Sequence, residues 1–357
     1  MIFTEWDSLT EIIVGDSYQP GDLDWAIEGS ARKLFNRILN ETKEDLDNLA
    51  DYLSKMGIKV YRPKVTKYQS GISFPDFSIK IPTAPIVPRD QYIVYGNTIY
   101  QTYTSMPDRY LDSINYNHIF VELFNEGYNW ISQPPPVLET LSETEKWWTD
   151  GYSQYQKLNN QMLWHTATMF KAGDAILTNP KGPGNQLGLK WMKRNLDARI
   201  VHNNSSAMNG WGHIDHGFFM TDDDKVFTLG KSWLPNCLSN KECINIENLV
   251  VSFPFRNFIS DFTETEGKYS KDWLEKWLTE WKGYTQEVCF DTNVLVISPT
   301  DIMFSNEQPK LFKLLESMGI NCHVCKQRHG FFWEAGIHCL TLDIKRIGTK
   351  RKIINVD

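Results

Sequence analysis

Two hydrophobic periods alternate along the chain. Glu11-Ile12-Ile13-Val14 is a short apolar run that stops at Gly15, the signature of a strand. Over about 31–56 the apolar residues Leu34, Ile38, Leu46, Leu49 and Leu53 fall at helical spacing, and Gly57 offers a stop. Ile58-Lys59-Val60-Tyr61 predicts a second strand. The pattern then recurs. Tyr92-Ile93-Val94-Tyr95 and Thr98-Ile99-Tyr100 flank Gly96-Asn97 as a hairpin, with a helical stretch near 108–125 behind them. Strands are expected at 175–177 and 199–202 around a helix at 185–195. The last third predicts a strand at 294–297, a helix at 309–318, and strands at 321–324 and 340–344.

This makes roughly five strand–helix–strand units, which share no sequence period, so a solenoid is excluded. The only proline run, Pro134-Pro135-Pro136, suits a stiff surface connection, and nothing resembles a long linker. The expectation is one α/β domain over 1–357. Apolar residues at 41% and charged residues at 23% support a true core and exclude disorder for the bulk of the chain. A net charge of −7 argues against a general nucleic-acid binder, and the basic run Lys345-Arg346 to Lys350-Arg351-Lys352 reads as a solvated tail. No apolar run reaches the roughly 18 residues of a membrane helix, and the acidic start does not read as a signal peptide. Six cysteines are too few for a disulfide scaffold, so a reducing cytoplasmic setting is expected.

Four places could carry chemistry. In Gly212-His213-Ile214-Asp215-His216, a strand would put His213 and Asp215 on one face, where a carboxylate fixes the imidazole tautomer for acid–base work. A structural histidine or a metal ligand would use the same spacing. Cys339 follows the small residues Ala335 and Gly336 and could expose a thiol at a strand start, although a lone cysteine also serves as a small buried hydrophobe. Asp90, in Pro88-Arg89-Asp90, is either a turn cap or a carboxylate aimed at a cationic substrate. Cys322-His323-Val324-Cys325 invites a zinc reading, but it has no second Cys pair, and strand alternation would split its thiols between faces.

Taken together, Pro-Arg-Asp, then His-x-Asp, then Gly-x-His-Cys near the C-terminus resembles the amidinotransferases of the glycine and inosamine-phosphate types, within the guanidino-modifying superfamily. The resemblance extends to Glu5-Trp6-Asp7-Ser8-Leu9, to Gly184-Asn185-Gln186-Leu187-Gly188 with Lys190-Trp191-Met192, and to Gly336 through Arg346. It covers nearly the whole chain. It implies a single α/β propeller of five-fold pseudosymmetry, built of repeated ββαβ units. It also implies an amidino transfer from arginine, or a similar guanidino donor, to an amine such as glycine. In that reading Cys339 is the nucleophile, His213 the acid–base, and Asp215 and Asp90 hold the guanidinium. The partners are small-molecule substrates, and the family is often dimeric. No cofactor or metal is implied, nor nucleic acid or membrane. A hydrolase of the same superfamily would share these residues, and a non-catalytic small-molecule binder is the third reading.

The departures from the family pattern are informative. The family has Phe-Asp-Ala-Ala-Asp or Phe-Asp-Ala-Ala-Asn where this chain reads Trp164-His165-Thr166-Ala167-Thr168, so a carboxylate is replaced by His165. Losing one partner of a buried charge pair costs about 2–5 kcal/mol. Glu334 stands where the family has glycine, five residues before Cys339, and is a candidate to supply the missing charge. The family arginine for a substrate carboxylate is absent, and Lys231 is the cation in that region. Lys231 offers a point charge without the guanidinium fork.

Overall fold

The computed structural model describes residues 1–27, 29–74, 77–79, 81–104, 107–136, 160–179, 184–207, 212–250, 292–333 and 335–355. The first long helical period is realised as α1 (Gly29–Lys55), between β1 (Ser8–Val14) and β2 (Lys59–Tyr61). Leu34, Phe35, Ile38, Leu39, Leu46, Leu49 and Leu53 are all buried, so one apolar stripe faces the core. Gly57, at φ 84°, takes the left-handed conformation that ends the helix. β1 and β2 pair in parallel, as a helical crossover between them requires.

The same unit recurs along the chain. After a short ribbon, β3 (Ile72–Phe74) with β4 (Phe77–Ile79), comes the hairpin β5 (Tyr92–Tyr95) and β6 (Thr98–Gln101). α2 (Ser113–Asn125) then leads to β7 (Asn129–Ser132), parallel to β6. The hairpin β8 (Met169–Ala172) and β9 (Ala175–Thr178) is followed by α3 (Gln186–Asn195) and by β10 (Arg199–His202), parallel to β9. β11 (Phe218–Met220) and β12 (Lys225–Thr228) connect through the 3₁₀ turn Asn236–Leu238 to β13 (Glu242–Asn245). β14 (Leu295–Ser298) and β15 (Asp301–Phe304) connect through α4 (Pro309–Ser317) to β16 (Asn321–Val324). Finally β17 (Thr341–Ile347) returns to pair antiparallel with β1 and completes its sheet. Among the described residues there are thus five three-stranded sheets, each with one antiparallel and one parallel pairing. This is the expected five-fold α/β propeller.

One consequence of the repeat positions everything that follows. The segment just before the first strand of each sheet enters the centre of the ring. These segments are the 3₁₀ turns Pro88–Asp90, Thr166–Thr168 and Ile214–His216, then Thr292-Asn293, then His338-Cys339. They are laced together by buried hydroxyls: Thr166 Oγ1 donates to the Arg89 carbonyl at 2.6 Å, and Thr292 Oγ1 to the Asp215 carbonyl at 2.8 Å.

Three expectations change. His213 and Asp215 lie on a 3₁₀ turn and its cap, not on a strand. The helix expected from 108 begins only at Ser113, behind the 3₁₀ turn Pro107–Arg109, and this frees Arg109 to point inward. The basic C-terminal run is docked: Arg346 is buried against Asp343, and Arg351 bridges Asp7 and Asp223. The CxxC cysteines are split as alternation required, with Cys325 in the core beside Leu295 and Cys322 packed against a different cluster.

The α1 stripe is a direct test of this packing. Leu49→Ala is expected to lower stability by about 2–5 kcal/mol. Urea denaturation should show the midpoint falling at an unchanged slope, whereas a loss below about 1 kcal/mol would mean that the stripe is not close-packed.

Candidate active site

Asn293 organises the thiol. Its Oδ1 accepts the Cys339 backbone N–H at 3.0 Å, and its Nδ2 donates to Cys339 Sγ at 3.0 Å and to Asp215 Oδ2 at 2.9 Å. One amide therefore fixes the backbone and sulfur of Cys339 against a carboxylate from another blade. Gly336 makes room for it, because a Cβ there would come within 2.6 Å of Asn293 Oδ1. Asp215 Oδ2 also meets His338 Nδ1 at 2.7 Å and lies 3.6 Å from Arg89 Nε. Burial opposes the Asp215 charge, but the hydrogen bond from His338 and the Arg89 guanidinium hold its carboxyl well below the usual range.

His213 stands between two groups of donors. Its ligand atom and those of Asp215 and Cys339 lie within 4.8 Å of one another, and so do those of Asp90, His165 and His213. Either set could hold a metal by donor type. The His165 and His213 rings stack with centroids 4.7 Å apart at 27°. His165 Nε2 is 3.6 Å from Asp90 Oδ2, the oxygen that Arg109 also engages. Arg109 Nη2 further bonds Asp112 at 3.1 Å and the Val87 carbonyl at 3.0 Å. Burial pushes His165 down to about 4 against the pull of Asp90, and pushes His213 well below its usual value, so both rings are neutral at pH 7. Burial also lifts Asp112 to about 6, despite Arg109.

Behind this layer lies a buried charge network. Glu5 pairs with Lys171 at 3.0 Å, Arg89 at 3.4 Å and His338 at 3.4 Å. Asp343 lies 3.9 Å from Lys171 and bonds Arg346 at 2.8 Å. Burial lowers the Arg89 pKa, while Glu5, Asp215, Asp343 and the thiolate form of Cys339 raise it further, so this cation is permanent and sits near the sulfur.

The structure therefore brings together Cys339, His213, Asp215, Asp90 and His165, all buried. Lys231 is exposed on the turn after β12, apart from this cluster. Glu334 lies outside the described residues. Arg89, Arg109, Asn293, His338 and Glu5 carry no assignment in the sequence reading. Arg89 and His338 adjoin assigned residues within their motifs, whereas Asn293 gives no signal, because an amide before a strand reads as an ordinary turn residue.

The neutral histidines predict an acid-sensitive fold. The unfolded His165 binds its proton near pH 6.5 and the folded one only near 4, so stability falls as pH drops through that window. A shift of this size corresponds to about 3 kcal/mol. Chemical denaturation at a series of pH values should show this loss, and His165→Asn should flatten the slope by up to one proton. An unchanged slope in the variant would assign the effect elsewhere.

Known proteins supply the last observation. No family model matches the chain. It is 25% identical over 367 residues to an inosamine-phosphate amidinotransferase of Streptomyces griseus, covering 97% of this chain and 96% of that one. It is 24% identical over 382 residues to the mitochondrial glycine amidinotransferase of Xenopus tropicalis, covering 97% and 83%. The solved structure of the Streptomyces griseus enzyme superposes with a TM-score of 0.72 at 22% identity, over 99% of this chain and 98% of that one. The dimethylarginine dimethylaminohydrolase of Pseudomonas aeruginosa shares the fold at a TM-score of 0.53 and 11% identity, over 94% and 99%. Over nearly its full length the chain is similar in sequence to amidinotransferases of the inosamine-phosphate and glycine types, and it shares their fold.

Proposed function

We propose that the protein is an amidinotransferase that moves an amidino group from arginine, or a similar guanidino donor, to an amine through an amidino-cysteine intermediate. The observation that carries this reading is the convergence of Cys339, His213 and Asp215, with donor atoms within 4.8 Å, at the centre of the ring. Its cytosolic location is part of the proposal, supported by the free thiols of Cys237, Cys243, Cys322 and Cys325 among the described residues.

In the proposed cycle the Cys339 proton passes to neutral His213, and Arg89 favours the resulting thiolate. The sulfur attacks the guanidinium carbon, and the C–N bond to the departing amine breaks as His213 returns the proton to that nitrogen. An acceptor amine then attacks the amidino carbon, the C–S bond breaks, and its proton leaves by the same imidazole. Asp90 and Asp215 face the guanidinium, with Arg109 and Arg89 behind them keeping each carboxylate ionised. His165 brings no charge, so arginine is held less tightly than a third carboxylate would hold it.

Intact-protein mass spectrometry after incubation with guanidino-labelled arginine tests the reading. A labelled adduct is expected on the native chain and none on Cys339→Ala. Discharge of the adduct by an amine identifies the acceptor, and discharge in buffer alone would make the protein a hydrolase. His165→Asp is expected to raise the rate of adduct formation from arginine by at least about tenfold. Absence of an adduct in both the native chain and the Asp variant would remove arginine as donor.

A further inference from the structure

Asp90, His165 and His213 come from two neighbouring blades and the next, and their donor atoms lie within 4.8 Å of one another. We infer that these three residues form a binding site for a divalent ion of the zinc class, and that the ion holds the thiol chemistry of Cys339 in check by occupying His213.

Four features of the site carry this. The donor set is two imidazoles and one carboxylate, which suits zinc and its neighbours among the first-row metals and leaves a coordination position open. The geometry is close to closed. Two ligands at about 2.0–2.1 Å from a tetrahedral ion stand roughly 3.4 Å apart. His165 Nε2 and Asp90 Oδ2 are already 3.6 Å apart, and a turn of the stacked His165 and His213 rings would aim both in-plane lone pairs at one ion. Both imidazoles are buried, so bulk water does not compete for their nitrogens. Asp90 is fixed in place by Arg109.

Charge distinguishes this set from the alternative of His213, Asp215 and Cys339. Among the described residues, Asp90 and Asp112 share Arg109, which leaves that half of the site net negative. On the other side Asp215, Glu5 and Asp343 are matched by Arg89, Lys171 and Arg346, and Asp215 Oδ2 is engaged by His338 and Asn293. A cation is therefore favoured beside Asp90. His165 is the decisive residue, because a carboxylate there would give an oxygen-rich pocket suited to a guanidinium.

The full-length protein, freed of metal by a chelator, is titrated with cobalt(II), which reports its own coordination. One equivalent should bind, with the visible bands of a four-coordinate ion and no sulfur charge-transfer band, and zinc should displace it. His165→Gln should weaken binding by at least about tenfold, a loss at least as large as removal of an outer-shell partner causes. Cys339→Ala should bind as tightly as the native chain, and this holds whether or not the thiol carries amidino chemistry. The inference is overturned if the native chain takes up no stoichiometric cobalt. It is overturned equally if Cys339→Ala loses the ion while His165→Gln keeps it, which would assign the metal to the thiol side.

Discussion

Glu5 is the residue on which the centre of the ring depends. A carboxylate out of water is expensive unless several partners share its charge, and Glu5 has partners on three other segments of the ring: Arg89 before β5, Lys171 on β8 and His338 before β17. Its Oε1 also accepts the Lys171 backbone N–H at 3.1 Å. Arg89 extends the chain of charges to Asp215, and Asp215 extends it through Asn293 to the sulfur of Cys339. The thiol is therefore positioned by the same interactions that make it possible to bring several blades' worth of charge together. Removing any member would strand a buried partner, so stability and site geometry cannot be varied independently here.

What the sequence discloses depends on whether a segment obeys a simple period. α1 and the β5–β6 hairpin are legible because their burial follows 3.6- and 2-residue patterns around Gly57 and Gly96. β8 and β15 are obscured, being short and flanked by polar turns, so only one member of each of their hairpins shows, and neither β11 nor β12 is expected from the pattern. The 3₁₀ turns that enter the hub have no period at all, which is why His213 and Asp215 invite a strand reading. Cys339, Asp90 and His213 stand out by residue type and by joint resemblance. Asn293 and Arg109 do not, because their roles arise from contacts distant in sequence: Asn293 reaches Cys339 across 46 positions, and Arg109 reaches Asp90 across 19.

His165 shows how one side chain can change a site without disturbing its scaffold. Its turn keeps the hydrogen bond from Thr168 Oγ1 to the His165 carbonyl at 2.7 Å and the lacing of Thr166 to Arg89. The backbone of the turn is thus fixed by hydroxyls, while the side chain it presents is a neutral, flat donor. Its ring fills the space by stacking on His213, which restricts the imidazole that the chemistry would use.

The pairing of β17 with β1 brings Ser8 opposite Ile347, across almost the whole chain. Contacts so distant in sequence form late in folding, because a long loop must close before they gain anything. Cys339 lies two residues before β17, and its clamp Asn293 and the Asp215 carboxylate belong to blades made earlier. During synthesis the thiol therefore emerges last, when the carboxylates, imidazoles and cations meant for it are already made. Closure of the ring and placement of the sulfur become one event, so an incomplete chain has the hub carboxylates and imidazoles without the thiol.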